Sequence, residues 1–162
     1  MKNRNFDEWL SKFRASISSY EYYVDFNKVH NNVESIKVEL NILNSLIGSK
    51  NIKDDFEELL RRYPEVLKVI PILLAKRERE IYCQDDKGGF LYKFDYGKYP
   101  PNSHRYYEMN AYFMEKTGLF DLLENHIINN LVDYVTGVET GLDSNGRKNR
   151  GGHLMENLVE KY

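Results

Sequence analysis

Cysteine is almost absent: Cys83 is the single one in 162 residues, so no disulfide can close within the chain and no cysteine cluster can hold a structural zinc. The four histidines, His30, His104, His126 and His153, lack the paired spacing of a zinc site. Long apolar runs are missing too. The nearest, VLKVIPILLA at residues 66–75, contains Lys68 and Pro71 and falls well short of the roughly 20 residues that cross a bilayer. The opening residues MKNRNFDEWL carry no apolar signal core, so a cytoplasmic protein is expected. Charge of one sign is also lacking. The formal net charge is -2 and the sequence pI about 6.1, which excludes a global attraction to polyanions and confines any such site to a local patch. Internal repeats and low-complexity tracts do not occur.

What is present is apolar and aromatic side chains, 41% and 14% of the residues, enough for one ordered main domain. Phe6, Leu10, Phe13 and Ile17 recur at helical spacing behind Asp7 and Glu8 and predict a first helix. Val29, Val33, Ile36, Leu40, Leu43 and Ile47 keep one rhythm and predict a long second helix capped by Gly48. A third runs from Asp54 to Tyr63, where Pro64 ends it and opens PEVLKVIPILLAK, a stretch that Pro71 should kink or break. The pattern then changes: runs rich in Ile, Tyr and Phe flank DDKGG and predict a β-hairpin near 79–96. Ser103 as N-cap and Gly118 as terminator bound the next helix. Leu119, Leu122, Leu123, Ile127, Leu131 and Val135 predict one or two more before a glycine-marked loop from Gly141 to Gly152.

That loop is the most polar linker in the chain and the first candidate site. SNGRKNRGG gathers Arg147, Lys148 and Arg150 with no acid between Ser144 and His153, and its glycines would allow close approach to a ligand. Such a cluster suits phosphate, and arginine can also read guanine edges; an ordinary solvated loop is the competing reading. It is no Walker A motif, because GK[ST] does not follow. In the closing helix Leu154, Met155, Leu158, Val159 and Tyr162 form an apolar face flanked by Glu156. Glu156 could join the oxygen ligands of a hard cation such as magnesium, or sit as a surface glutamate near the helix start. His126, near Asp121 and Glu124, has no serine or cysteine nucleophile arranged with it, and a packing or surface role is expected. Tyr22, Tyr23, Tyr106 and Tyr107 are expected to anchor elements rather than to stack on bases.

The blocks NFDEWL (5–10), SIKVELNILNSLIGSKNI (35–52), YPEVLKVIPILLAKR (63–77), LFDLLENHIINNLVDYVTGVETGLDSNGRKNR (119–150) and GGHLMENLVEKY (151–162) resemble the N-terminal part of the DpnII/MboI family of type II restriction endonucleases. The resemblance implies magnesium-dependent cleavage of double-stranded DNA at GATC, beside a cognate methyltransferase that protects the host. It also implies a PD-(D/E)xK-type core whose early helix supplies one acid, here Glu156 as a metal ligand and catalytic residue. Arg147, Lys148, Asn149 and Arg150 then become implied DNA contacts. The expected fold is mainly α: residues 1–140 form a helical domain with one small β-hairpin, and 141–162 form a basic loop and the first helix of a truncated α/β nuclease core. The family continues into strands that carry the remaining metal ligands, so a chain ending at Tyr162 is expected to be inactive alone. Two other readings stay open: a non-cleaving helical DNA-binding module, and an interaction domain whose terminal helix docks on a partner or on a second copy as a homodimer.

Overall fold

The computed structural model describes the backbone of residues 5–12, 23–95 and 103–160, and the side chains within these as far as Arg147. In chain order the helices are α1 (residues 5–12), α2 (Phe26–Glu34), α3 (Lys37–Leu43), α4 (Ile52–Arg62), α5 (Ile70–Leu73), α6 (His104–Lys116), α7 (Leu119–Glu124) and α8 (Leu131–Glu160). Strands β1 (Glu80–Asp85) and β2 (Gly88–Lys93) lie between α5 and α6 and pair antiparallel, Asp85 opposite Gly88. The fold is mainly α with one small hairpin, as expected. Residues 33–138 form one compact unit, and residues 1–32 with 139–162 form another. Among the described residues no helix is long and apolar enough to cross a membrane.

Within 33–138 the apolar rhythm produces the core it predicts. Leu40, Leu43, Phe56, Leu60, Val66, Leu67 and Ile70 are fully buried, which joins α3, α4 and the 3-10 turn Pro64–Val69 in one layer. Pro64 follows a non-helical Tyr63 with φ -134° and ψ 67° and sits at the start of that turn, and Pro71 lies in the first turn of the short α5. The proline that lacks an amide donor thus divides the segment into a 3-10 turn and a four-residue helix. The inner face of the hairpin presents Tyr92 and Phe94 to Phe113 of α6, with ring centroids 4.9 Å apart in both pairs. Ser103 caps α6 by accepting from the Tyr106 amide at 3.4 Å, and Gly118 ends it with φ +84°. The start of α8 is anchored twice: the Leu131 amide donates to Asn44 Oδ1 at 2.7 Å, and the Tyr134 hydroxyl to the Leu73 carbonyl at 2.7 Å.

Gly48 closes the Asn44–Leu46 turn in the left-handed region, with φ +75°, and donates its amide to the Leu123 carbonyl at 2.8 Å. A Cβ there would lie 2.1 Å from His126 Nε2. His126 therefore has a packing role, its ring laid against a position that tolerates no side chain.

Two expectations are corrected. The long second helix is interrupted at Ser35–Ile36, where Ile36 takes φ -124°, outside the α region. Val33, Ile36 and Leu40 keep helical spacing through the bend, so periodicity alone could not reveal it. The loop expected over Gly141–Gly152 is helix: α8 runs unbroken from Leu131 to Glu160. Glycine costs about 1 kcal/mol per helical position relative to alanine, which is why four of them within twelve residues read as a loop. In its described part α8 carries the Arg147–Asp143 bond, one turn apart at 2.8 Å. The predicted positions Phe13, Ile17, Tyr20 and Tyr22, and the apolar face of Leu154, Met155, Leu158, Val159 and Tyr162, lie outside the described residues or side chains.

Candidate functional site

In the unit made of 1–32 and 139–162, polar residues on α2 and α8 meet along a seam. Glu139, Asp143 and Arg147 follow at intervals of four and share one face of α8. Asp25, Lys28 and Asn32 share one face at and beyond the start of α2. Asp143 is the centre. Its Oδ2 accepts from the Asp25 backbone N–H at 2.8 Å and from Arg147 Nε at 2.8 Å, while its Oδ1 lies 3.9 Å from Lys28 Nζ. Arg147 Nη2 is 3.6 Å from Asp25 Oδ2. Asp25 also accepts the Lys28 amide at 3.2 Å, a bond that caps the first turn of α2. One turn back along α8, Glu139 accepts from Asn32 Nδ2 at 3.2 Å.

Burial makes these bonds consequential. The side chain of Asp143 is 4% exposed and that of Arg147 18%, and Glu139 is buried as well. A charge taken from water needs a partner and hydrogen bonds to persist, and Asp143 has both. The Asp25 amide first, then the Arg147 guanidinium and the charges of Arg147 and Lys28, hold its carboxyl below the ordinary value of 3.8, against the upward push of burial. Since the folded value is the lower one, Asp143 stabilises the fold above the ordinary carboxylate range and loses that contribution as pH falls through its lowered value. Wild-type protein is therefore expected to lose thermal stability more steeply than Asp143→Asn between about pH 5 and pH 3. Melting temperatures at pH 7, 5 and 3 check this, and parallel curves would remove Asp143 from the acid transition.

The structure brings the sequence-predicted residues together only in part. Arg147, read as a loop residue open to DNA, is engaged with Asp143 and Asp25. The backbone at Lys148, Asn149, Arg150 and Glu156 is helical, and their side chains lie outside the description. Glu156 lies in the last turns of a 30-residue helix that ends at Glu160, so its expected place near a helix start is corrected, and with it the argument from the N-terminal dipole. The Asp143–Arg147 pair was legible in principle, being acid and base four apart, but only to a reader who had taken the segment as helix.

A second group was missed because it joins distant segments. A cleft of about 710 Å³ between the hairpin and α6 is lined by Asp85, Lys87, Tyr92, Glu108, Tyr112 and Lys116, among others. The Tyr112 hydroxyl donates to Asp85; that bond, aided by burial and nearby acids, pushes Tyr112 up to about 12 and is the main cause holding Asp85 below its usual range. Lys87 and Lys116 each bring an ammonium within 5.6 Å of the Tyr112 ring centre, in cation–π range. Acid and base balance in this cleft, and it has no marked preference for an anion.

No three His, Cys, Asp or Glu side chains among the described residues stand together as a metal site. Magnesium takes several oxygen ligands, so the described residues do not build a centre for it, and no catalytic step is derived through one.

The DpnII restriction endonuclease family matches residues 5–162. The chain belongs to that family. It is 55% identical over 163 residues to the type II restriction enzyme DpnII of Streptococcus pneumoniae, covering 99% of this chain and 54% of the relative. It is 45% identical over 161 residues to MjaIII of Methanocaldococcus jannaschii, covering 98% and 54%. With MboI of Moraxella bovis the identity is 35% over 155 residues, covering 96% and 53%. The chain thus spans about half the length of the curated relatives it matches. No solved structure matches it. Membership places the chain in a family whose matched relatives are type II restriction enzymes.

Proposed function

We propose that this chain is the helical region of a type II restriction endonuclease that cleaves double-stranded DNA at GATC within a restriction-modification system. A cognate methyltransferase protects the host, and the enzyme works in the cytoplasm. The carrying observation is the family match over residues 5–162, which takes in the acid-free basic cluster at 147–150. In this reading Lys148 and Asn149 of α8 face the duplex on the side of Glu156, Arg150 reaches a phosphate from the flank of the helix, and Glu156 contributes one oxygen ligand to a magnesium site completed by residues other than those described. GATC is its own reverse complement, and a two-fold symmetric homodimer would present the same face to each strand.

The residues of this chain have two tasks here. The basic side chains neutralise phosphates and fix the register of the protein on the duplex. The folded unit holds α8 so that these positions and Glu156 keep their spacing. Magnesium, when bound, would neutralise charge on the scissile phosphate and activate water.

The test uses the chain with magnesium and a duplex containing unmethylated GATC, beside a scrambled duplex, scored for binding and for cutting. Preferential binding to GATC supports the reading. Binding without preference favours a non-specific helical DNA-binding module, and absence of binding to either duplex removes the DNA-facing role of α8. Replacing Lys148 and Arg150 together by alanine should flatten the dependence of log K on log salt by about 1.8, at about 0.9 per lost phosphate contact. An unchanged slope would make both bystanders.

A further inference from the structure

We propose that Arg147 faces the protein rather than the duplex, and that Asp143 and Arg147 form an ionic clamp positioning the α8 turn that carries Lys148 and Asn149. The inference rests on the reading that this part of α8 lies against DNA, and it divides the basic cluster into one residue that holds the helix and others that meet the ligand.

Three observations carry it. The first is electrostatic. Arg147 lies against two carboxylates, 2.8 Å from Asp143 and 3.6 Å from Asp25, so its charge is already compensated. To neutralise a phosphate it would have to leave Asp143, whose nearly inaccessible carboxylate would keep the Asp25 amide at 2.8 Å but, as counter-charge, only the Lys28 ammonium at 3.9 Å on a half-exposed side chain. An uncompensated buried charge is among the most costly arrangements in a fold. The second is architectural. Two of the three buried polar or charged side chains among the described residues, Glu139 and Asp143, lie on this seam, and both bond to residues at or beyond the start of α2. A seam of this kind sets register, because sliding α8 by one residue would strand every polar group on it.

The third is helical geometry. In an unbroken α8, Glu156 stands nine residues beyond Arg147, about 13.5 Å along the axis and about half a turn round it. The two positions are on opposite sides of the helix. Asn149 precedes Glu156 by seven residues and falls within about 20° of it, and Lys148 within about 80°. A ligand that meets Glu156 therefore meets the side of α8 that bears Asn149 and Lys148, while Arg147 is on the side held by α2. Asp143, acting through Arg147, is a positioning residue for that face.

The experiment measures duplex affinity by fluorescence anisotropy on the full chain, across a salt series and far below the melting temperature. The variants are Arg147→Ala, Lys148→Ala, Asp143→Asn and the double variant of positions 143 and 147. The clamp predicts that Arg147→Ala weakens binding severalfold with an unchanged salt slope. It predicts that Asp143→Asn weakens binding by a similar factor and that the double variant is no worse than the weaker single one. Lys148→Ala should lower the slope by about 0.9. A slope lowered by about one unit in Arg147→Ala, with Asp143→Asn binding as wild type, would make Arg147 a phosphate contact and overturn the clamp. Urea unfolding of the same four proteins gives a reading independent of DNA. Shifts in midpoint that are non-additive for positions 143 and 147 support the pair, and strictly additive shifts overturn it. If the wild-type chain binds no duplex while the midpoints remain non-additive, the DNA-facing reading fails and the positioning role falls with it, leaving only the ion pair.

Discussion

Phe56→Ala is expected to destabilise the 33–138 unit by about 4 kcal/mol. Phe56 is fully buried on α4, edge-on to Phe120 of α7 at 5.3 Å and tilted to Tyr107 of α6 at 6.3 Å. One ring thus joins three helices. Truncation removes its transfer free energy and leaves a void that the backbone of α4 cannot close, because buried Leu59 and Leu60 hold that helix on the same side. At about 4 °C per kcal/mol for a unit of this size, the melting temperature should fall by roughly 16 °C. Phe56→Leu keeps most of the volume and should lose less than half as much. Thermal and urea unfolding followed by circular dichroism measure both, and a loss below about 1 kcal/mol for alanine would mean that the site collapses freely and that Phe56 is no keystone.

Glu156→Gln should reduce DNA cleavage by about a thousandfold or more while duplex affinity changes by less than about twofold, on the scale of several kcal/mol for a metal-site interaction in the transition state. Glutamine keeps the volume and one oxygen of glutamate but not the charge that a hard cation selects. The substitution therefore separates a metal role from a packing role, which the amide would fulfil. The measurement suits a chimera that joins this chain to the remaining half of the Streptococcus pneumoniae relative, first shown to cut a GATC duplex in magnesium. Undiminished cutting would remove Glu156 from the metal site. Loss of binding in step with cutting would make it a residue of the DNA interface instead.

Much of the fold was legible because it depends on local chemistry. Pro64 and Pro71 lack amide donors and broke the chain where they stand; Ser103 capped α6 and Gly118 ended it; DDKGG turned the hairpin. Each signal acts over a few residues, the range over which sequence controls backbone directly. The bend at Ser35–Ile36 was illegible because its apolar residues stay in phase through it. The glycine-rich stretch misled for the opposite reason: its propensity is correctly read as poor for a helix, yet α8 continues through it. Carboxylates at 139 and 143 find partners on α2, more than a hundred residues away in sequence.

The sequence by itself determined the class of the protein: mainly helical, one hairpin, no disulfide, no membrane span among the described helices, and membership in a restriction-endonuclease family. Those properties follow from composition, short-range patterning and the order of the family-like blocks, none of which needs a contact map. Only the tertiary structure decided the state of Arg147. Whether Arg147 is open to a ligand or held by Asp143 and Asp25 depends on whether the segment is loop or helix and on what faces it. A carboxylate is a partner only when the fold brings it within hydrogen-bonding distance and shields it from water, and neither condition is written in the spacing of the residues.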